Sequence, residues 1–239
     1  GYHGSETVVD ALSHSCNVFF YELGNRIGIS SLNSYCRKLG LGVKTGVEIG
    51  ESAGVLSGPE YAQQINAPWY IGDTIQSSIG QLYNLFTPLQ LATYTATIAN
   101  GGTRYQTRLL NQVKSYDLTQ TVKSSDPIVA AETELSKDAL DTVKQGMLSA
   151  ALDGTAASVF GKYTIEVGGK TGTAQNQGDD HGVFISFAPY DNPEIAVAIV
   201  VEHGLHGYVT APAVKSIYDT YFFSKSEPET VANIGTLKQ

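Results

Sequence analysis

Apolar residues recur at helical spacing through the first 150 positions, and the period shortens to that of strands after them. Ser5 or Thr7 is placed to cap a first helix with Asp10 in its first turn. Phe19, Phe20, Leu23 and Ile27 share one face of a second helix, which Gly24 is expected to end or kink. Ser30 or Ser31 then caps a helix carrying Leu32, Tyr35, Cys36 and Leu39, stopped by Gly40. Residues 40–69 are rich in glycine and turn formers and read as irregular. Thr87-Pro88 is a hydroxyl cap followed by proline at the first helical position. Leu91, Tyr94, Thr95 and Ile98 form the stripe of that helix, and Asn100-Gly101-Gly102 ends it. Residues 123–134 read as polar linker, and residues 136–148 as a helix with Leu140, Val143 and Met147 inward.

Three strands are expected over residues 163–174, 182–188 and 194–201, the last two joined as an antiparallel hairpin by Asp191-Asn192-Pro193. Residues 195–201 are apolar at every position, the mark of a central strand covered on both faces. Pro212 opens a final helix with Val214, Ile217, Tyr218 and Tyr221 on one side. Helices first and an antiparallel sheet later give an α+β fold: a sheet flanked by helices plus a mainly helical lobe. The expected divisions are a lobe over residues 1–150, the sheet and closing helix over 151–223, and a polar tail over 224–239.

Composition narrows the function. The chain has 239 residues, of which 42% are hydrophobic, enough for a sizeable core. Its net charge of −8 and its lack of any basic block speak against nucleic-acid binding, which needs clustered Lys and Arg. No apolar run approaches the length of a membrane span, so membrane attachment is expected only through an anchor outside this chain. Cys16 and Cys36 are too few for a disulfide framework and lack the paired spacing of a zinc site. Both are expected as reduced core residues, and no metal or cofactor is expected.

The densest chemistry is Lys170-Thr171-Gly172-Thr173, at the end of a glycine-closed apolar run. A lysine, two hydroxyls and a residue without a side chain at a strand rim make a receptor for a carboxylate beside an acyl group. Gly169-Lys170-Thr171 matches the end of a P-loop, but the glycine needed five residues earlier is Thr164. Lys44-Thr45-Gly46-Val47 repeats the letters in a glycine-rich loop and reads as structural. Ser15-Cys16-Asn17 lies at a helix junction, where both residue types serve as caps. His203 and His206 are flanked by glycines and lack a third ligand; they read as surface loop, as does His181 after Asp179-Asp180.

Taken in order, these segments resemble the transpeptidase domain of class B penicillin-binding proteins, from Ala11 to Phe223. Ser15-Cys16-Asn17 matches the family's S-x-N triplet, and Gly169 to Gln175 its K-T-G-T strand. Ile79-Gly80-Gln81, Thr87-Pro88-Leu89-Gln90-Leu91-Ala92 and Ala99-Asn100-Gly101-Gly102 resemble its middle signature. Two departures stand out. Leu82 follows Ile79-Gly80-Gln81 where the family usually has glycine, and no serine is followed three residues later by lysine.

The resemblance implies serine acyl transfer on D-Ala-D-Ala stem peptides of peptidoglycan, at the extracytoplasmic face of the bacterial membrane, with β-lactam antibiotics acylating the same serine. It implies catalytic roles for Ser15, Asn17 and Lys170, and substrate binding by Thr171, Gly172 and Thr173. The nucleophile is expected from an upstream polypeptide segment carrying the S-x-x-K serine, which also completes the sheet; this chain alone is expected to be inactive. The same motifs would serve a D,D-carboxypeptidase or a β-lactam sensor, and a non-catalytic wall scaffold is the reading from another class.

Overall fold

The computed structural model describes residues 3–224, so the expected tail lies outside the described residues except for Ser224. Thr7, not Ser5, opens α1 (Val8–His14): its hydroxyl accepts the Asp10 N–H at 3.3 Å, and the Asp10 carboxylate accepts the Thr7 N–H at 3.0 Å. Ser15 closes α1 in the left-handed region at φ 54°, and α2 (Asn17–Lys38) follows at once.

Gly24 does not break α2. The kink falls at Gly28, with φ 74° and ψ 159°, and the helix expected from Ser30 or Ser31 is the continuation of α2. Gly24 is instead a packing requirement. A Cβ there would sit 2.3 Å from the Cβ of Ser78, where α2 crosses the end of α4 (Ile71–Ser77). The apolar face of α2 is only partly covered: Leu23 and Ile27 are 38% and 42% exposed.

Residues 40–69 are mostly irregular, as expected, apart from the short α3 (Pro59–Gln64). Next comes α5 (Pro88–Ala99), capped by Thr87. Gln90 returns the cap, accepting the Thr87 N–H at 2.9 Å. Its carboxamide nitrogen also donates to Val43 C=O at 2.7 Å and Ala53 C=O at 2.8 Å. Gln90 is fully buried, so one side chain ties the irregular segment to α5.

The expected polar linker, residues 123–134, contains one strand and the end of another, and two more strands precede it. β1 (Thr103–Tyr105) pairs with β4 (Val129–Glu132), and β2 (Gln112–Lys114) with β3 (Thr121–Ser124). Each has only three or four residues, too few to show a period of two, and β2 to β4 are largely exposed. Ser136 then caps α6 (Lys137–Leu152), with Leu140 and Met147 buried.

The main sheet has the order β5 (Gly168–Ala174), β6 (His181–Ala188), β7 (Ile195–Val201), antiparallel throughout. Residues 163–167 precede β5 instead of belonging to it. One face, through Phe184, Ala188 and Val197, meets Phe160 of α7 (Ala157–Phe160) and Val214 and Tyr218 of α8 (Ala211–Phe223). The other, through Ile185, Phe187 and Ala196, meets Ile98, Ala99 and Met147 of α5 and α6. β7 is therefore covered on both faces, and among the described residues it pairs with β6. An unbroken apolar run reports helices above and below a strand, not hydrogen-bonded neighbours beside it.

On α8 the inner side is Ala211, Val214 and Tyr218, while Ile217 and Tyr221 at its margin are 38% and 52% exposed. The Tyr218 hydroxyl meets Ser186 Oγ of β6 at 2.7 Å, which satisfies both polar groups inside the core. The fold is α+β, an antiparallel sheet between helices with a largely helical N-terminal part. No helix among the described residues is long and apolar enough to cross a membrane.

Candidate functional site

Residues from both ends of the chain meet in one groove. The α1–α2 junction presents Ser15, held at positive φ, and Asn17, the first residue of α2. β5 presents Lys170, whose ammonium donates to Ser15 Oγ across 155 residues of sequence. The same ammonium donates to Thr171 C=O at 2.9 Å. Burial disfavours its charge and lowers its pKa from 10.5 to about 8.

The two threonines are set by partners that no motif announced. The Thr171 hydroxyl donates to Thr155 Oγ1 at 2.8 Å, from the turn after α6. Thr173 Oγ1 accepts the Gly207 N–H at 3.3 Å, which leaves its own hydroxyl hydrogen free to donate. Gly207 begins the 3₁₀ helix Gly207–Thr210 and lies hard against β5: a Cβ there would be 2.2 Å from Gly172 O. At Gly172 itself a Cβ would meet only Val183, at 3.5 Å, so packing does not demand glycine there.

Gln81 closes the open side of β5. Its carboxamide nitrogen donates to Thr173 C=O at 2.9 Å, and its oxygen accepts the Gln175 N–H at 3.3 Å. Along an antiparallel strand, the N–H and C=O of one residue point to the same side. The Thr173 C=O points away from β6 to Gln81, so the Thr173 N–H also faces the open edge.

The groove has a volume of about 740 Å³ and is lined by all six residues singled out in the sequence: Ser15, Asn17, Lys170, Thr171, Gly172 and Thr173. Sequence reasoning missed Thr155 and Tyr208, and it placed His206 in a surface loop. The rings of His206 and Tyr208 stack at 5.5 Å on the groove wall. The one signal for them was the glycine beside each, which permits a tight approach to β5. A cation, free hydroxyl hydrogens and a strand-edge N–H converging here suit a ligand with a carboxylate next to a polarised carbonyl.

Two other segments fall differently. Lys44-Thr45-Gly46 is structural, as expected: the Glu51 carboxylate accepts the N–H groups of Thr45 and Gly46 and the Thr45 hydroxyl, each at 2.8 Å. Cys16 is not a core residue; it is half-buried and lines a cavity of about 540 Å³ with His3 and Glu6. His3, Glu6 and Cys16 bring one ligand atom each within 4.8 Å of one another, a donor set that zinc accepts. Sequence spacing between cysteines did not reveal it, because the donors are of three residue types. Cys36 is the more enclosed, and burial pushes its thiol up to about 11.

Comparison with known proteins extends the geometry. The penicillin binding protein transpeptidase domain family matches residues 1–219. The peptidoglycan D,D-transpeptidase MrdA of Acinetobacter baumannii is 33% identical over 97% of this chain and 37% of its own length. Stage V sporulation protein D of Bacillus subtilis is 32% identical over 91% of this chain and 34% of its own length. The chain thus spans little more than a third of the curated relatives it matches. Pseudomonas aeruginosa PBP2 in complex with WCK 5153 superposes with a TM-score of 0.79 at 32% identity, over 92% of this chain and 48% of that one. The ceftriaxone acyl-enzyme of Mycobacterium tuberculosis penicillin-binding protein A gives 0.79 at 26% identity, over 92% and 50%.

Proposed function

This chain belongs to the penicillin-binding protein transpeptidase domain family, and on that premise we propose that its groove grips the acyl donor of a peptidoglycan D,D-transpeptidase. The observation that carries the reading is the bond from Lys170 to Ser15, which places the S-x-N and K-T-G-T segments on one groove beside an outward Thr173 N–H.

The reaction proceeds in two transfers. A serine hydroxyl, from an S-x-x-K segment not among these residues, attacks the carbonyl carbon between the two terminal D-alanines. The C–N bond breaks, D-alanine leaves as the amine with the serine proton, and an ester remains. An amine of a neighbouring stem peptide then attacks the ester carbonyl; the amide forms, and the serine oxygen recovers a proton as it leaves.

Within that scheme Ser15 passes a proton towards the leaving nitrogen. The Lys170 ammonium, already bonded to Ser15, supplies positive potential. Asn17 holds the donor's amide and the lysine partner of the nucleophile. The Thr173 hydroxyl, whose lone pair is taken by the Gly207 N–H, donates to the terminal carboxylate, and Thr171 joins it by turning from Thr155. The Thr173 N–H is one donor of an oxyanion hole, and loss of one such donor costs about a hundredfold or more in rate. Gly172 leaves room for the ligand along the strand. The site works on the outer face of the bacterial membrane, where its peptidoglycan substrate is.

The full-length natural protein, given a D-Ala-D-Ala stem peptide and an amine acceptor, is expected to release one D-alanine for each cross-linked product seen by mass spectrometry. D-Alanine released with water as sole acceptor would mark a carboxypeptidase. Absence of both D-alanine release and penicillin labelling would end the reading.

A further inference from the structure

The free edge of β5 is occupied by the protein itself. An open strand edge is a template for an added strand, and an extended ligand binds it through backbone hydrogen bonds. At this edge two positions are taken: the Gln81 carboxamide donates to Thr173 C=O at 2.9 Å and accepts the Gln175 N–H at 3.3 Å. A carboxamide offers the same donor and acceptor as a peptide group, so Gln81 stands where one amide of an added strand would lie.

The backbone beneath it is held while the side chain reaches out. Gly80 and Leu82, on either side of Gln81, both have positive φ, 81° and 69°. Left-handed φ is disfavoured for leucine, so this turn persists only because its surroundings fix it. They do: Asn84 Nδ2 donates to Gln81 C=O at 3.2 Å and to Ser77 C=O at 3.3 Å, while Asn84 Oδ1 accepts the Ser57 N–H at 2.9 Å. The Tyr83 N–H donates to Ser57 Oγ at 2.9 Å. The main chain is braced at these points, whereas the half-buried side chain is held through its bonds to Thr173 and Gln175.

We propose that Gln81 is a displaceable stand-in for a ligand's amide at the edge of β5, and that it discriminates between ligands by whether they bring an N–H for Thr173 C=O. This rests on the acyl-donor reading of the groove. A ligand with such an N–H must first turn the Gln81 carboxamide away, and forfeits that protein–protein bond. A ligand without one leaves Gln81 in place and is indifferent to it.

The test compares acylation rates of the full-length natural protein with Gln81→Ala and Gln81→Glu. Two probes are used: benzylpenicillin, whose side-chain amide carries an N–H, and a hydroxyethyl carbapenem, which lacks that amide. Glutamate keeps the reach of Gln81 but has no hydrogen to donate to Thr173 C=O, so it opens the same position without shortening the side chain. Both variants are expected to be acylated about three- to tenfold faster by benzylpenicillin, the range one net hydrogen bond supplies, with the carbapenem rate within about twofold of wild type. Equal rates for wild type and both variants would overturn the proposal. A fall with both ligands in both variants would also overturn it, and would make Gln81 a support for β5. A wild-type protein that neither ligand acylates removes the acyl-donor reading and this inference together; a wild type that is acylated, with unchanged variants, removes this inference alone.

Discussion

At the scale of single residues, Lys170 brings charge into a place that resists it. Its pKa of about 8 in the fold lies below the ordinary 10.5, with burial as the cause. Between those two values the unfolded chain binds more protons than the folded one, so stability rises with pH across that window. At neutral pH the buried ammonium is a cost to the fold, one that the role proposed for Lys170 would account for. Lys170→Met removes the charge at similar volume. Its melting temperature at pH 7 is expected to equal or exceed that of wild type, while β-lactam affinity falls at least about tenfold, the scale of one lost charged hydrogen bond. Wild-type affinity should itself decline as pH rises through about 8 and the ammonium deprotonates. A variant that melts far below wild type, or one that binds normally, contradicts this account of Lys170.

At the scale of elements, legibility in the sequence depended on whether the cause was local. Thr87-Pro88 announced α5 because a cap and a proline act on their own turn. The hairpin of β6 and β7 was visible because an apolar run on either side of a turn leaves a local pattern. Gly24 was misread because its cause is Ser78 on a crossing helix, not the turn it belongs to. β1 to β4 escaped because three or four residues carry no period. Gln90 was read as part of a motif, whereas its burial depends on two carbonyls at Val43 and Ala53. Gln90→Ala strips both carbonyls and half the cap of α5. It is expected to destabilise the protein by about 2–4 kcal/mol in denaturant unfolding, since each buried group left without a partner costs about 1–3 kcal/mol. A loss below about 0.5 kcal/mol would show that α5 and the irregular segment are tied by other means.

At the scale of the whole molecule, the fold joins segments that sequence order keeps far apart. α1 packs on α6 and α6 on β5, and this chain of contacts carries Ser15 to Lys170. The motif residues of the groove were legible because their types and order match a known family. Thr155, Tyr208 and the place of Gln81 were not, since each enters through a tertiary contact with β5 or its loops and leaves no spacing to read. The central claim is that both motif segments grip one ligand. Hydrogen–deuterium exchange on the full-length natural protein, with and without benzylpenicillin, tests it most directly. Residues 15–20 and 168–175 should gain protection together, in the same ligand concentration range. Protection of one segment with none at the other would contradict a shared groove.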